Sequence, residues 1–245
     1  MALLVDGDLS RIEDLKAQDS GLLDVTNGEG IDPQAKLDLA ASEIQVEVEA
    51  FLDWEEQGRL EQVTASSALK RWHVLRTLEA VYRDAYFSQL NDRYGQRWHH
   101  YESLAAEQRR RYFEGGLRMV SRPVRRPSHV SAEIAEGLTS AATYWLTATF
   151  LDAEGRESAP SAAVAVSSPV PHSLQVTLLF PEENATHWNL YAGTEEGSVG
   201  LQNAAPMEVG ETWVMPVSGL VVGRPPGNGQ AADFAVVRCG LLRRG

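Results

Sequence analysis

Between residues 37 and 52 the apolar positions Leu37, Ala40, Ala41, Ile44, Val48, Phe51 and Leu52 recur at steps of three and four. Asp38, Glu43, Glu47, Glu49 and Asp53 occupy the rest of the turn. That period draws one apolar stripe along a helix. Asp32-Pro33 marks its start, an acceptor before a proline at the position where no amide is needed, and Gly58 marks its end. The pattern predicts an amphipathic helix over 32–57. A second run, Leu69, Trp72, Leu75, Leu78, Tyr82, Ala85, Tyr86 and Leu90, predicts a helix over 66–94, capped from within 64–67 and broken by Gly95. The period resumes over 98–114 through Tyr101, Leu104, Ala105 and Tyr112, and Gly115-Gly116 stops it. Upstream, Ser10 and Glu13 in DLSRIEDL have capping-box spacing and predict a short helix over 8–18, while GLLDVTNGEG reads as a brief helical turn.

SRPVRRPSHV carries two prolines and three arginines and reads as an extended linker, with the domain boundary at 121–136. Beyond it the period becomes two. Tyr144, Leu146, Ala148 and Phe150 alternate with Trp145, Thr147, Thr149 and Leu151, and DAEG follows as a turn. The same rhythm returns at 159–166, 174–180, 188–192 and 206–217, which predicts an antiparallel β-sandwich. GRPPGNGQAAD is a second irregular link, and FAVVRCGLL is an apolar stretch whose partner the pattern does not name. The expected fold class is therefore α+β: an N-terminal all-α helical bundle over 1–120, a linker over 121–136, a β-sandwich over 137–220, and an extension over 221–245.

Composition adds bounds. With 245 residues, 43% hydrophobic and 23% charged, the chain is long enough for two cores and too apolar for wholesale disorder. MALLVDGDLS lacks a basic signal-peptide region and no run of eighteen apolar residues follows, so the chain is expected to be made and kept in a cytoplasm, without a membrane partner. Cys239 is the only cysteine, which excludes an internal disulfide and a multi-cysteine zinc site. The net charge of −12 is unevenly spread. Residues 1–57 hold 15 acids and 3 bases, residues 58–130 hold 7 and 14, and residues 131–245 hold 12 and 5.

No histidine has a metal-like partner, and no nucleophile elbow, phosphate loop or zinc-protease motif is present. No catalytic residue, metal or cofactor is expected, and the chain does not read as an enzyme. The basic stretch is the stronger feature: Arg97, Arg109, Arg110, Arg111, Arg118, Arg122, Arg125 and Arg126, interleaved with Trp98, Tyr101, Tyr112 and Phe113. Three readings stand open: pairing with the acidic helices of a second copy, pairing within the chain, and nucleic-acid binding.

DLSRIEDLKAQDSGLLDVTNGEGIDPQAKLDLAASEIQVEVEAFL, followed by the helical hairpin over 68–118, resembles the helical adaptor, or head-tail connector, proteins of tailed bacteriophages. The resemblance covers about the first 120 residues and rests on helix order and length. Residues 138–217 resemble a fibronectin type III or immunoglobulin-like module; YWLTATFLDAEGRESAPS looks like that family's late strands and LQVTLLFPEENATHWNLYAGTEEG like its earlier ones, so the late-looking piece comes first here.

The resemblance implies a structural virion protein of the neck: a homo-oligomeric ring, expected as a dodecamer, that binds the portal protein above and a tail or second neck protein below. Genomic DNA would pass without sequence-specific binding. On that reading the acidic residues Asp38, Glu43, Glu47, Glu49, Asp53, Glu55 and Glu56 are candidates for a channel lining, where they would repel phosphate, or for a subunit interface. The arginines above are candidates for a subunit or portal interface. Two alternatives remain: a tail or baseplate protein whose sandwich binds host-surface glycan or protein, with Trp145, Trp188 and Trp213 as stacking faces, and a DNA-binding packaging protein.

Overall fold

The computed structural model describes residues 1–7, 9–89, 92–139, 142–168, 172–178 and 180–238. Leu90 and Cys239, both used above, lie outside the described residues. The helices are α1 (Ile12–Gln18), α2 (Leu22–Glu29), α3 (Pro33–Glu55), α4 (Ser67–Gln89) and α5 (Asp92–Glu114). The strands are β1 (Leu117–Met119), β2 (Ser131–Thr139), β3 (Ala142–Leu151), β4 (Val164–Ser168), β5 (His172–Thr177), β6 (His187–Glu195), β7 (Ser198–Leu201), β8 (Met207–Glu208), β9 (Thr212–Val214) and β10 (Phe234–Val236). Helices thus come first and antiparallel strands after, a mixed α+β chain. The chain divides into two compact units: Gly7–Ser121 with Ala232–Gly245, and Met1–Asp6 with Arg122–Ala231.

In the helical unit the start of α3 is as the sequence predicts: Pro33 opens it, and the Asp32 carboxylate accepts the Gln34 N–H at 2.9 Å. Its end differs. Glu56, at φ 53°, takes the left-handed position and returns its N–H to the last turn, two residues before Gly58. The start of α1 also differs. Asp14 accepts the Arg11 N–H at 2.8 Å, while Ser10 is buried and its hydroxyl lies 2.6 Å from His73 Nδ1. His73 Nε2 is 2.9 Å from the Leu37 carbonyl, which can only accept, so Nε2 carries the proton and Nδ1 accepts from Ser10. Burial holds the His73 pKa below its usual value, against the opposing bond to Leu37.

Gly95 does not break the hairpin, because α5 already begins at Asp92. A Cβ at Gly95 would sit 3.3 Å from the Tyr86 ring, so the glycine serves the close approach of α4 and α5. The core gathers around α4, whose Leu75, Leu78, Val81 and Tyr82 pack with Leu15, Leu22, Leu37, Tyr94 and Tyr101. The apolar stretch without a named partner finds one here: β10 pairs antiparallel with β1, with Leu117 opposite Val236.

The other unit contains two antiparallel sheets, ordered β2-β5-β9 and β4-β3-β6-β7, with β8 also on β6. Tyr144, Leu146, Ala148 and Phe150 of β3 join Leu174 and Val176 of β5, Trp188 and Leu190 of β6, and Trp213 of β9 in one core. These are the inward positions that the alternation predicts. Strand β2 opens at Ser131, inside the stretch expected as linker, and β4 opens only at Val164. Ahead of β4, Ser158 and Ser161 turn their hydroxyls onto β3, accepting the Phe150 N–H at 3.0 Å and the Ala148 N–H at 3.1 Å. Pro160, between them, has no N–H to offer a ladder.

Thr147 and Thr149, on the opposite face of β3, are buried as well. The reason is a polar layer on that side of the sheet. Glu157 accepts from Thr149 at 2.6 Å, Tyr191 at 2.5 Å, Asn189 at 3.1 Å and Arg224 at 3.1 Å. Burial alone would raise the Glu157 pKa, but these four donors together hold it below the usual carboxylate range. Asn203 continues the network to Asn189 at 2.8 Å, and Gln202 exchanges two hydrogen bonds with the backbone of Val221.

Candidate functional site

The helical unit spends much of its segregated charge on itself. Arg76 Nε bonds Glu43 at 2.8 Å and its Nη1 bonds Glu79 at 2.6 Å, Lys36 bonds Asp84, and Arg109 of α5 bonds Glu47 of α3. Arg97 donates to the Tyr82 hydroxyl at 2.8 Å and lies 3.8 Å from Asp19. Arg110 and Arg111 pair along their own helix, both with Glu107 at 2.7 Å and the first also with Glu114 at 3.2 Å. Pairing within the chain, one of the three readings of the charge pattern, is therefore present. Five of the eight candidate arginines, Arg97, Arg109, Arg110, Arg111 and Arg118, lie in α5 or β1 of the helical unit, and of these only Arg118 has no carboxylate contact among the described residues.

The remaining arginines belong elsewhere. Arg122 pairs with Glu154 at 3.0 Å, Arg125 is exposed, and the Arg126 N–H bonds Asp6 at 3.2 Å, all within the sheet unit. The basic stretch is thus divided between the two units.

Sequence reading missed the two acidic anchors of α1 and α2. Asp19, just after α1, accepts from Tyr82 at 2.7 Å, Tyr101 at 3.0 Å and the Gly21 N–H at 3.0 Å. Burial would raise its pKa, but those hydrogen bonds, with Arg97 nearby, hold it below the usual value. Burial and the Asp19 charge together push the Tyr82 hydroxyl up to about 12, so it remains a donor. Glu29, at the end of α2, accepts from Ser88 at 2.9 Å and Tyr94 at 3.0 Å. Tyrosines on the core face of a helix facing a carboxylate-rich segment were the available signal.

The candidate acids of α3 fall into two sets. Glu43 and Glu47 face α4 and α5 and are paired, and Glu55 is half-buried. Asp38 accepts the Gln34 amide at 2.9 Å, and Glu49, Asp53 and Glu56 are exposed, with no ion pair among the described residues. Between the two sets runs an apolar stripe outside the core: Leu39, Val46 and Trp54 are 42%, 65% and 73% exposed, and Ala50 is exposed too. Steps of seven, four and four place them on one face of the helix. Trp54 stands at a groove of roughly 650 Å³ between α3 and α5, lined also by Glu47, Phe51, Arg109 and Phe113. The Phe51 and Phe113 rings are 4.9 Å apart, Trp72 backs Phe113 at 5.6 Å, and the Arg109 guanidinium covers the Phe113 face at 5.5 Å.

No known family model, curated protein or solved structure matches this chain. Chemistry in the site must be read from its own residues. Among the described residues no group of three or more His, Cys, Asp or Glu side chains is placed to hold a metal, and no helix is long and apolar enough to cross a membrane. Of the three tryptophans proposed as stacking faces, Trp188 and Trp213 are buried in the core and Trp145 is half-buried. The arrangement is suited to holding another macromolecule, through an apolar stripe with a concave end and a row of carboxylates.

Proposed function

We propose that the chain is a structural virion protein, a head-tail adaptor of a tailed bacteriophage that forms a homo-oligomeric ring below the portal and joins it to a tail or second neck protein. The observation that carries the proposal is the helical order: two short helices, then the acidic α3, then a hairpin of two 23-residue helices, α4 and α5. That is the order on which the resemblance to adaptor proteins rests. The sheet unit is the immunoglobulin-like or fibronectin type III β-sandwich of the same reading, with three strands in one sheet and β4-β3-β6-β7 in the other. Of the piece that looks like that family's late strands, the first is β3, while the chain after its turn bonds β3 through Ser158 and Ser161 before β4 begins at Val164.

Within this reading α3 serves an interface. Its exposed Leu39, Val46 and Trp54 favour protein contact over the lining of a water-filled DNA channel. Size-exclusion chromatography with light scattering tests the proposal. The expected result is a ring-sized assembly, or a monomer that becomes one when a purified portal is added. A monomer under both conditions overturns it.

A further inference from the structure

We infer that the outer face of α3 is the docking surface for a basic amphipathic helix of a partner protein, one large apolar side chain of which enters the groove beside Trp54. The inference rests on the interface role given to α3 above and adds the chemistry of what it meets.

Three observations converge on that occupant. The first is geometric: Leu39, Val46, Ala50 and Trp54 form one straight stripe, about 22 Å long at 1.5 Å per residue, which matches roughly four turns of a facing helix. The second is the groove at its end, where Phe51 and Phe113 form an apolar floor fixed from behind by Trp72. A rigid aromatic floor beside an exposed tryptophan is what a single anchoring side chain requires. The third is charge. On one border Glu43 and Glu47 already have cationic partners in Arg76 and Arg109, and Arg238 also lines the groove there. The other border carries Glu49, Asp53 and Glu56, which have no ion pair among the described residues. An apolar helix edged by lysine or arginine on that side satisfies both the stripe and the open carboxylates; one edged by acids is repelled.

The face of α5 does not supply this partner from a second copy. Its outward Arg110 and Arg111 are neutralised by Glu107 and Glu114 on the same helix. The partner inferred is a different protein chain with an unpaired basic edge, and α5 of a second copy is not its source.

The test uses the full chain and an 18-residue synthetic peptide with leucines at helical spacing and lysines between them, alongside a control in which every lysine is glutamate. Calorimetry at low salt is expected to show one-to-one binding of the leucine-lysine peptide and none of the control. Trp54→Ala should weaken that binding roughly tenfold or more, and Glu49→Lys with Asp53→Lys should weaken it and admit the glutamate peptide. Trp54 is 73% exposed, so its removal leaves the core intact; Val46→Asp gives a second reading of the same stripe. Equal binding of both peptides, or unchanged binding by Trp54→Ala and Val46→Asp, overturns the inference. Ring assembly with a portal is scored separately, so peptide binding can fail while the adaptor reading stands, and the reverse.

Discussion

The two units solve the same problem, covering an apolar core, by different means. In the helical unit most backbone amides are satisfied within their own helices, so side chains are left free for packing, and polar contacts such as Asp19 with Tyr82 of α4 and Tyr101 of α5 pin the short helices onto the long ones. In the sheet unit long irregular segments run over the strands, and their buried side chains complete the backbone hydrogen bonding. Ser158, Ser161 and Asn203 accept the Phe150, Ala148 and Leu190 N–H groups of the strands, and Gln202 bonds the Val221 backbone. The helical unit should therefore be sensitive to lost volume, and the sheet unit to lost hydrogen bonds.

The largest effects should come from the centre of each system. Trp72→Ala removes a buried ring that touches Tyr112 and Phe113, and should cost about 3–5 kcal/mol in denaturant unfolding followed through the helical signal. Glu157→Ala leaves Thr149, Tyr191 and Asn189 without their acceptor and should cost about 3 kcal/mol, read as lost hydrogen-exchange protection in β3 and β6. If Glu157→Ala proves neutral while Trp72→Ala unfolds its unit, the polar layer is incidental and the contrast between the units is lost.

Gly223→Ala should come next. A Cβ there would lie 2.1 Å from the Leu201 carbonyl oxygen, so the segment that bonds β7 must move, at about 1–3 kcal/mol. Asp19→Asn should cost about 1–2 kcal/mol and flatten the acid limb of the stability curve. The sign follows from a folded pKa below the unfolded one: the Asp19 contribution is complete above the unfolded value of about 3.9 and is lost as the pH falls through the folded value. An acid limb identical in wild type and Asp19→Asn would show that the carboxylate does not pin α1 and α2. The smallest effect belongs to Arg110→Ala, where thermal unfolding should not shift measurably, because Arg110, Glu107 and Glu114 all stand in water.

The same contrast explains what was legible in the sequence. The 3.6-residue period located α3, α4 and most of α5, because a helix satisfies most of its backbone by itself and declares its buried face by spacing. Gly95 misled because its purpose is tertiary, an approach to Tyr86 that no local rule contains. Ser10 misled in the same way: its spacing to Glu13 suits a cap, but a buried histidine from α4 claims the hydroxyl. In the sheet unit the alternation found the inward face of β3 and could not find the layer over Thr147 and Thr149, whose partners Ser161 and Glu157 lie 14 and 8 residues away in irregular chain. The apolar stripe of α3 was written at 39, 46, 50 and 54 and passed unread, because the stripe facing the core accounts for the helix without it.

The adaptor reading is tested most directly by single-particle imaging of the purified chain mixed with a portal ring. The account predicts a second ring on one face of the portal, sharing its rotational symmetry, with one copy of this chain for each portal subunit. Portal rings that stay bare at saturating protein, or that carry scattered copies without symmetry, would contradict it.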